Sequence, residues 1–174
     1  MKKLRISGTV NDSIVDGPGL RFTIFTQGCP HNCPGCHNPQ THSMKGGKKI
    51  SINKLYKQIK ENGLLSGITF SGGEPFVQAK TLIPLAKKLK EDNFEIASYT
   101  GYLFEDLVND KVPFGKELLK YLDVLIDGKF VLSLKSMDLA FKGSSNQRTI
   151  DVQKSLKENK TILSSDNRWL KKLP

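Results

Sequence analysis

The sequence predicts an α/β fold, with a largely parallel sheet covered by helices. Three observations lead there. Short apolar runs of strand length alternate with stretches whose apolar residues recur at helical spacing. Turns rich in glycine and proline separate them. The chemically unusual motifs each follow a predicted strand: the cysteine run 29–36, Gly72-Gly73-Glu74, Thr100-Gly101 and Asp127-Gly128-Lys129. In parallel sheets, ligands sit beyond the strand C-terminal ends.

Residues 4–10 alternate apolar and polar and predict a first strand, half buried or at an edge. Asp16-Gly17-Pro18-Gly19 is a turn, and residues 20–27 form a second strand that delivers the cysteine loop. No period holds over 28–49, so this stretch reads as loop. Ser51 is the expected N-cap of a helix carrying Ile52, Leu55, Tyr56 and Ile59 on one face, stopped by Gly63. A strand at 68–70 runs into Ser71-Gly72-Gly73-Glu74-Pro75. Ala79, Leu82, Ile83, Ala86 and Leu89 then mark an amphipathic helix. A strand at 94–99, helical pieces at 104–110 and 114–121, and a strand at 123–126 follow. Residues 132–141 read as helix or loop, and 149–152 as a last strand. The lysine-rich stretch 153–174, with Trp169 as its one large apolar anchor, is expected to pack lightly or move.

The 174 residues are enough for one domain with a sizeable core, and 1–174 reads as one unit: a core over about 4–152 and a basic C-terminal tail over 153–174. With 27 Lys and Arg against 17 Asp and Glu, the net charge is +10. The lysines are spread in pairs with no interleaved aromatics, the pattern of a solvated surface, so no nucleic acid is expected as a partner. Apolar runs are far too short to span a bilayer, and Met1-Lys2-Lys3 precedes the polar Arg5, Ser7 and Thr9 where an export segment would be apolar. An odd number of closely spaced cysteines argues against disulfides and for a reducing, cytoplasmic setting.

All three cysteines, Cys29, Cys33 and Cys36, lie in one C-x3-C-x2-C run. Three thiolates on a four-iron cluster leave one iron open to a small chelating molecule. Zinc competes, because His31, His37 and His42 lie in or just after the loop and allow a closed Cys3His site. The turn after the next strand favours iron and sulfur. Gly72 and Gly73 let backbone approach a ligand, and Glu74 offers a carboxylate to a cationic amine.

The C-x3-C-x2-C loop followed by Gly72-Gly73-Glu74-Pro75 resembles the radical S-adenosylmethionine superfamily. Asp16-Gly17-Pro18-Gly19-Leu20-Arg21 before Phe25-Thr26-Gln27-Gly28-Cys29, then Cys36-His37-Asn38-Pro39, resembles its glycyl-radical-enzyme activating branch, nearest to the activators of anaerobic ribonucleotide reductase. Tyr99-Thr100-Gly101-Tyr102, Asp127-Gly128-Lys129-Phe130 and 143–148 are similar to further motifs of that branch, so the resemblance spans roughly residues 5–151. Gly35 departs from the aromatic residue frequent before the third cysteine in the wider superfamily, and in doing so resembles this branch more closely.

The resemblance implies a short, incomplete βα barrel with the cluster loop at the strand C-terminal ends. It implies one [4Fe-4S] cluster on Cys29, Cys33 and Cys36, which act catalytically through it, with S-adenosylmethionine on the open iron. Gly72, Gly73 and Glu74 would hold the amino end. Gly35, Cys36, His37 and Asn38 would line the cofactor, and Thr100, Asp127, Lys129 and Arg148 would bind its other polar groups. The implied activity is reductive cleavage of S-adenosylmethionine and generation of a glycyl radical on the partner, anaerobic ribonucleotide reductase, with electrons from a flavodoxin-like donor. Activation of another glycyl radical enzyme such as formate lyase, or chemistry on a small molecule, is the alternative. A zinc-stabilised binding module is the remote one.

Overall fold

The computed structural model describes residues 2–172; Met1, Leu173 and Pro174, and with them the first residue of the opening segment and the end of the tail discussed above, lie outside the described residues. Seven strands form one sheet in the order β3-β1-β2-β4-β5-β6-β7. They are β1 (Lys3–Ser13), β2 (Arg21–Thr26), β3 (Lys48–Ser51), β4 (Gly67–Gly72), β5 (Glu95–Tyr99), β6 (Val124–Asp127) and β7 (Arg148–Asp151). The four strands β2, β4, β5 and β6 are mutually parallel in the middle of the sheet. At one edge β1 and β3 add antiparallel, and at the other edge so does β7.

The sheet is thus parallel in its middle, as expected, and mixed as a whole because antiparallel strands add at both edges. The physical reason is connection length. The Asp16–Leu20 turn returns β1 straight into β2, and so short a link permits only antiparallel pairing. Strand β3 has the sequence Lys-Lys-Ile-Ser, which carries no apolar alternation, so the loop expected over 28–49 hides a strand recruited by its partner β1.

The helices are α1 (Ile52–Glu61), α2 (Ala79–Glu91), α3 (Phe104–Val108), α4 (Gly115–Leu119), α5 (Val152–Glu158) and α6 (Asn167–Leu170). Ser51 caps α1 by accepting Lys54 N at 3.1 Å. Alternate residues of a strand face opposite sides. On one side Ile24, Ile68, Phe70, Ile96 and Leu125 pack with Leu55, Ile59, Leu82 and Leu89 of α1 and α2 into the main core.

The other parity carries Arg21, Thr23 and Thr69, with Ala97, Val124 and Ile126 in a second apolar cluster under Trp169. Arg21 is fully buried there. It donates to Thr69 Oγ1 (2.8 Å), Pro18 O (3.2 Å), Ile68 O (3.1 Å) and Glu95 Oε1 (2.9 Å), with its guanidinium 5.1 Å from the Trp169 ring. Burial pushes this guanidinium below its ordinary pKa, and Glu95 opposes that. The expectation of a lightly packed tail is therefore wrong for its described part. Residues 152–158 are α5, Leu163 bridges to Ile150, and Trp169 is 0% exposed. One buried indole and two short caps, at Asp151 and Asp166, order a stretch that composition alone marks as solvated. Among the described residues no helix is long and apolar enough to cross a membrane.

Candidate metal centre

Strand β2 ends at Thr26 and hands the chain to the cysteine loop. Gln27 fixes the loop's far side: its Nε2 donates to Gln40 O (3.0 Å) and Ser43 O (2.8 Å). Gly28 N donates to Thr41 O at 2.7 Å and Cys29 N to His42 O at 3.1 Å. Both ends of the loop are therefore tied together before any metal is considered. Cys29, Cys33 and Cys36 are free thiols, each half-buried. Asn38 N donates to Cys36 Sγ at 3.4 Å. Burial raises the Cys29 pKa, a backbone bond by His31 lowers it, and the nearby Glu74, Cys33 and Cys36 raise it further.

That donor set fits an iron-sulfur cluster. Soft sulfurs that oppose one another's ionisation need a strongly cationic, thiophilic centre to become thiolates together. A closed single-zinc site would need a fourth protein ligand, which the loop would have to take from its histidines. His31 is committed elsewhere, its Nε2 lying 2.7 Å from Glu74 Oε2.

The turn after β4 locks onto this loop. Gly73 N donates to Thr26 O at 2.8 Å and Glu74 N to Gly28 O at 2.9 Å. Gly72 has φ +92°, and a Cβ there would lie 2.5 Å from Thr26 N. Only glycine allows the two backbones to approach so closely. Glu74 is fully buried, and its carboxylate accepts from Phe76 N, Thr100 Oγ1, Gly101 N and His31 Nε2. One anion thus joins the ends of β2, β4 and β5.

The other sequence-derived residues divide into two groups. Cys36, His37, Asn38 and Gly72 line one cleft of about 720 Å³, together with Phe25, Tyr99, Phe130 and Phe141. His37 faces Phe130 with ring centroids 5.2 Å apart, and Gly35 lies exposed between Cys33 and Cys36. Asp127, by contrast, is fully buried and engaged by Arg148 at 3.0 and 2.5 Å and by Phe104 N at 2.8 Å. Arg148 also pairs with both oxygens of Glu105, at 3.0 and 2.8 Å. These groups neutralise one another, and two acidic partners raise the Arg148 pKa. Lys129 is exposed, and its backbone carbonyl accepts from Asn146 Nδ2 at 2.8 Å. The sequence places Gly101 and Tyr102 in motifs without assigning them a role, and it offers His31 only as a possible zinc ligand. The signal for His31 was its place between the first two cysteines.

Residues 15–150 match the family described as a 4Fe-4S single cluster domain. Over 142 residues the chain is 33% identical to the anaerobic ribonucleoside-triphosphate reductase-activating protein of Haemophilus influenzae, covering 77% of this chain and 89% of that one. It is 32% identical to the protein of that name from Escherichia coli K12, with shares of 77% and 90%. To the protein of the same name from Enterobacteria phage T4 it is 34% identical, with shares of 77% and 85%.

Proposed function

The chain belongs to the family of anaerobic ribonucleoside-triphosphate reductase-activating proteins, and from that membership we propose that it installs a glycyl radical on an anaerobic ribonucleotide reductase, using one [4Fe-4S] cluster and S-adenosylmethionine. The observation that carries this reading is the gathering of the three cysteines, Gly72-Gly73-Glu74 and Thr100 at one end of the parallel strands. When bound, the cluster and S-adenosylmethionine supply one-electron cleavage of a carbon–sulfur bond and a strong hydrogen-atom acceptor.

The chain's own residues do the rest. Cys29, Cys33 and Cys36 would hold the cluster, and with only three protein thiolates one position would stay open to the cofactor's amino and carboxylate groups. Glu74 would accept from the cofactor's amino group, with the bare backbone of Gly72 and Gly73 beside it. His37 and Asn38 would border the bound cofactor, with Gly35 nearby in the same loop, and the aromatic wall of Phe25, Tyr99, Phe130 and Phe141 would exclude water from it. Thr100 orients Glu74 from β5, and Asp127 and Arg148 support the same rim from β6 and β7. Lys129, exposed and next in sequence to the cleft-lining Phe130, suits the cofactor's carboxylate. We read the sheet as a short, incomplete βα barrel whose open side admits a peptide loop of the reductase. The net charge of +10 suits an acidic, flavodoxin-like electron donor, and three reduced thiols suit the cytoplasm.

Anaerobic reconstitution followed by incubation with reductase, reductant and S-adenosylmethionine tests the proposal. We expect a visible-absorbing cluster and a glycyl radical doublet on the reductase by electron paramagnetic resonance. Cleavage of the cofactor without that doublet would overturn the assignment of the partner.

A further inference from the structure

The Glu74 carboxylate is already saturated. Oε1 accepts from Phe76 N at 3.0 Å and Thr100 Oγ1 at 2.9 Å, and Oε2 from Gly101 N and His31 Nε2, each at 2.7 Å. An ionised carboxylate offers about four lone-pair sites. A further donor therefore enters only by displacing one of these.

The four differ in how firmly they are held. Phe76 N and Gly101 N are backbone groups of the turns that follow β4 and β5. The Thr100 hydroxyl stands at the end of β5 and itself accepts from Tyr102 N at 3.1 Å. His31 alone comes from the cysteine loop, between the exposed residues Pro30 and Asn32. Yet its ring is well seated. Its side chain is 7% exposed, Tyr102 meets it edge-on with centroids 4.6 Å apart at 74°, and a Cβ on Gly101 would run into it.

We propose that the His31 imidazole occupies the seat at Glu74 that the cofactor's amino group takes, so that binding exchanges one N–H donor for the other. The inference rests on the reading of Glu74 as the amino-group acceptor. It has a consequence of unusual sign. A residue that supports a binding site weakens binding when removed, whereas a residue that fills the seat tightens it. The apparent affinity of the filled site is reduced by the fraction of molecules in which the seat is vacant.

The test is anaerobic calorimetry on the reconstituted full chain with two probes. S-adenosylhomocysteine carries the amino acid end, and 5′-methylthioadenosine lacks it. For His31→Ala we expect the dissociation constant of S-adenosylhomocysteine to fall by about tenfold, with that of 5′-methylthioadenosine unmoved. His31→Asn, too short to reach Glu74, repeats the measurement should the alanine variant lose its cluster, and His31→Gln, which keeps a donor of similar reach, stays near the parent value. Glu74→Gln should weaken S-adenosylhomocysteine alone. If Glu74→Gln weakens it while the short His31 variants bind equally or more weakly, the exchange is wrong and the role of Glu74 stands. If Glu74→Gln changes nothing, the reading of Glu74 fails and takes the exchange with it.

Discussion

Two kinds of residue build the rim, and they respond differently to substitution. The cysteines sit half-exposed on a loop whose ends are closed by Gly28, Cys29 and Gln27 backbone and side-chain bonds. Cys36→Ala should therefore leave the fold intact while abolishing the cluster. A visible spectrum without the iron-sulfur band, beside an unchanged urea midpoint of the metal-free protein, would show this. Gly72 is the opposite case. Its φ of +92° disfavours any side chain, and its Cβ would press on the backbone of Phe25 and Thr26 with no flexible group to yield. Gly72→Ala should cost at least about 2 kcal/mol and separate β4 from β2 at the site. A urea midpoint within error of the parent would contradict that.

The elements around the site are tied by a charged clamp that joins α3, β6 and β7. Arg148 holds the Glu105 carboxyl down to about 2, with Thr161 donating to it at 2.8 Å. Because the folded pKa lies below the ordinary value of about 4.3, the stabilisation is complete above that pH and is lost as pH falls toward 2. Glu105 is 47% exposed, so water screens the pair and the effect stays within about 1 kcal/mol. Glu105→Gln should lower the urea midpoint at about pH 6 and converge on the parent between about pH 4 and pH 2; a gap that is constant with pH would mean the bond is not ionic. This clamp also shows where the sequence stopped being readable. The α1 and α2 faces, the Ser51 cap and the strand-end placement of Cys29–Cys36, Gly72-Gly73-Glu74 and Thr100 were legible, because each depends on local period or turn chemistry. Asp127 and Arg148 were legible as a pair of motifs but not as partners, since what joins them is the antiparallel register of β6 and β7. Strand β3 and the His31–Glu74 contact were hidden for the same reason. Both are created by a neighbour remote in the chain.

The molecule as a whole has one cofactor-facing rim and one closed face, and the C-terminal stretch does the closing. The main core lies between the sheet and α1 and α2; the opposite face carries Arg21, Thr23 and Thr69, side chains that could not stay dry alone. Trp169 covers Arg21, packs on Ala97, Val124 and Ile126, meets Phe141 edge-on at 5.5 Å, and is held in place by α6, whose Arg168 reaches Glu95 Oε2 at 2.7 Å. Glu95 thereby serves two arginines, one buried and one at the surface. Removing the indole would open a cavity beside a buried guanidinium and lose its cation–π partner. Trp169→Ala should cost about 3–5 kcal/mol, far more than the Glu105 variant, although no part of Trp169 lines the cleft. The chain holds a single tryptophan, so its fluorescence reports this contact alone. The buried indole, whose Nε1 has no hydrogen-bond partner among the described residues, should emit at short wavelength in the native protein and shift to the red in the same urea transition that unfolds the helices. A red shift that precedes the loss of helical circular dichroism would instead mean that the C-terminal cover opens on its own. The closed face would then be a separate unit, and the two faces of the sheet would not share one cooperative fold.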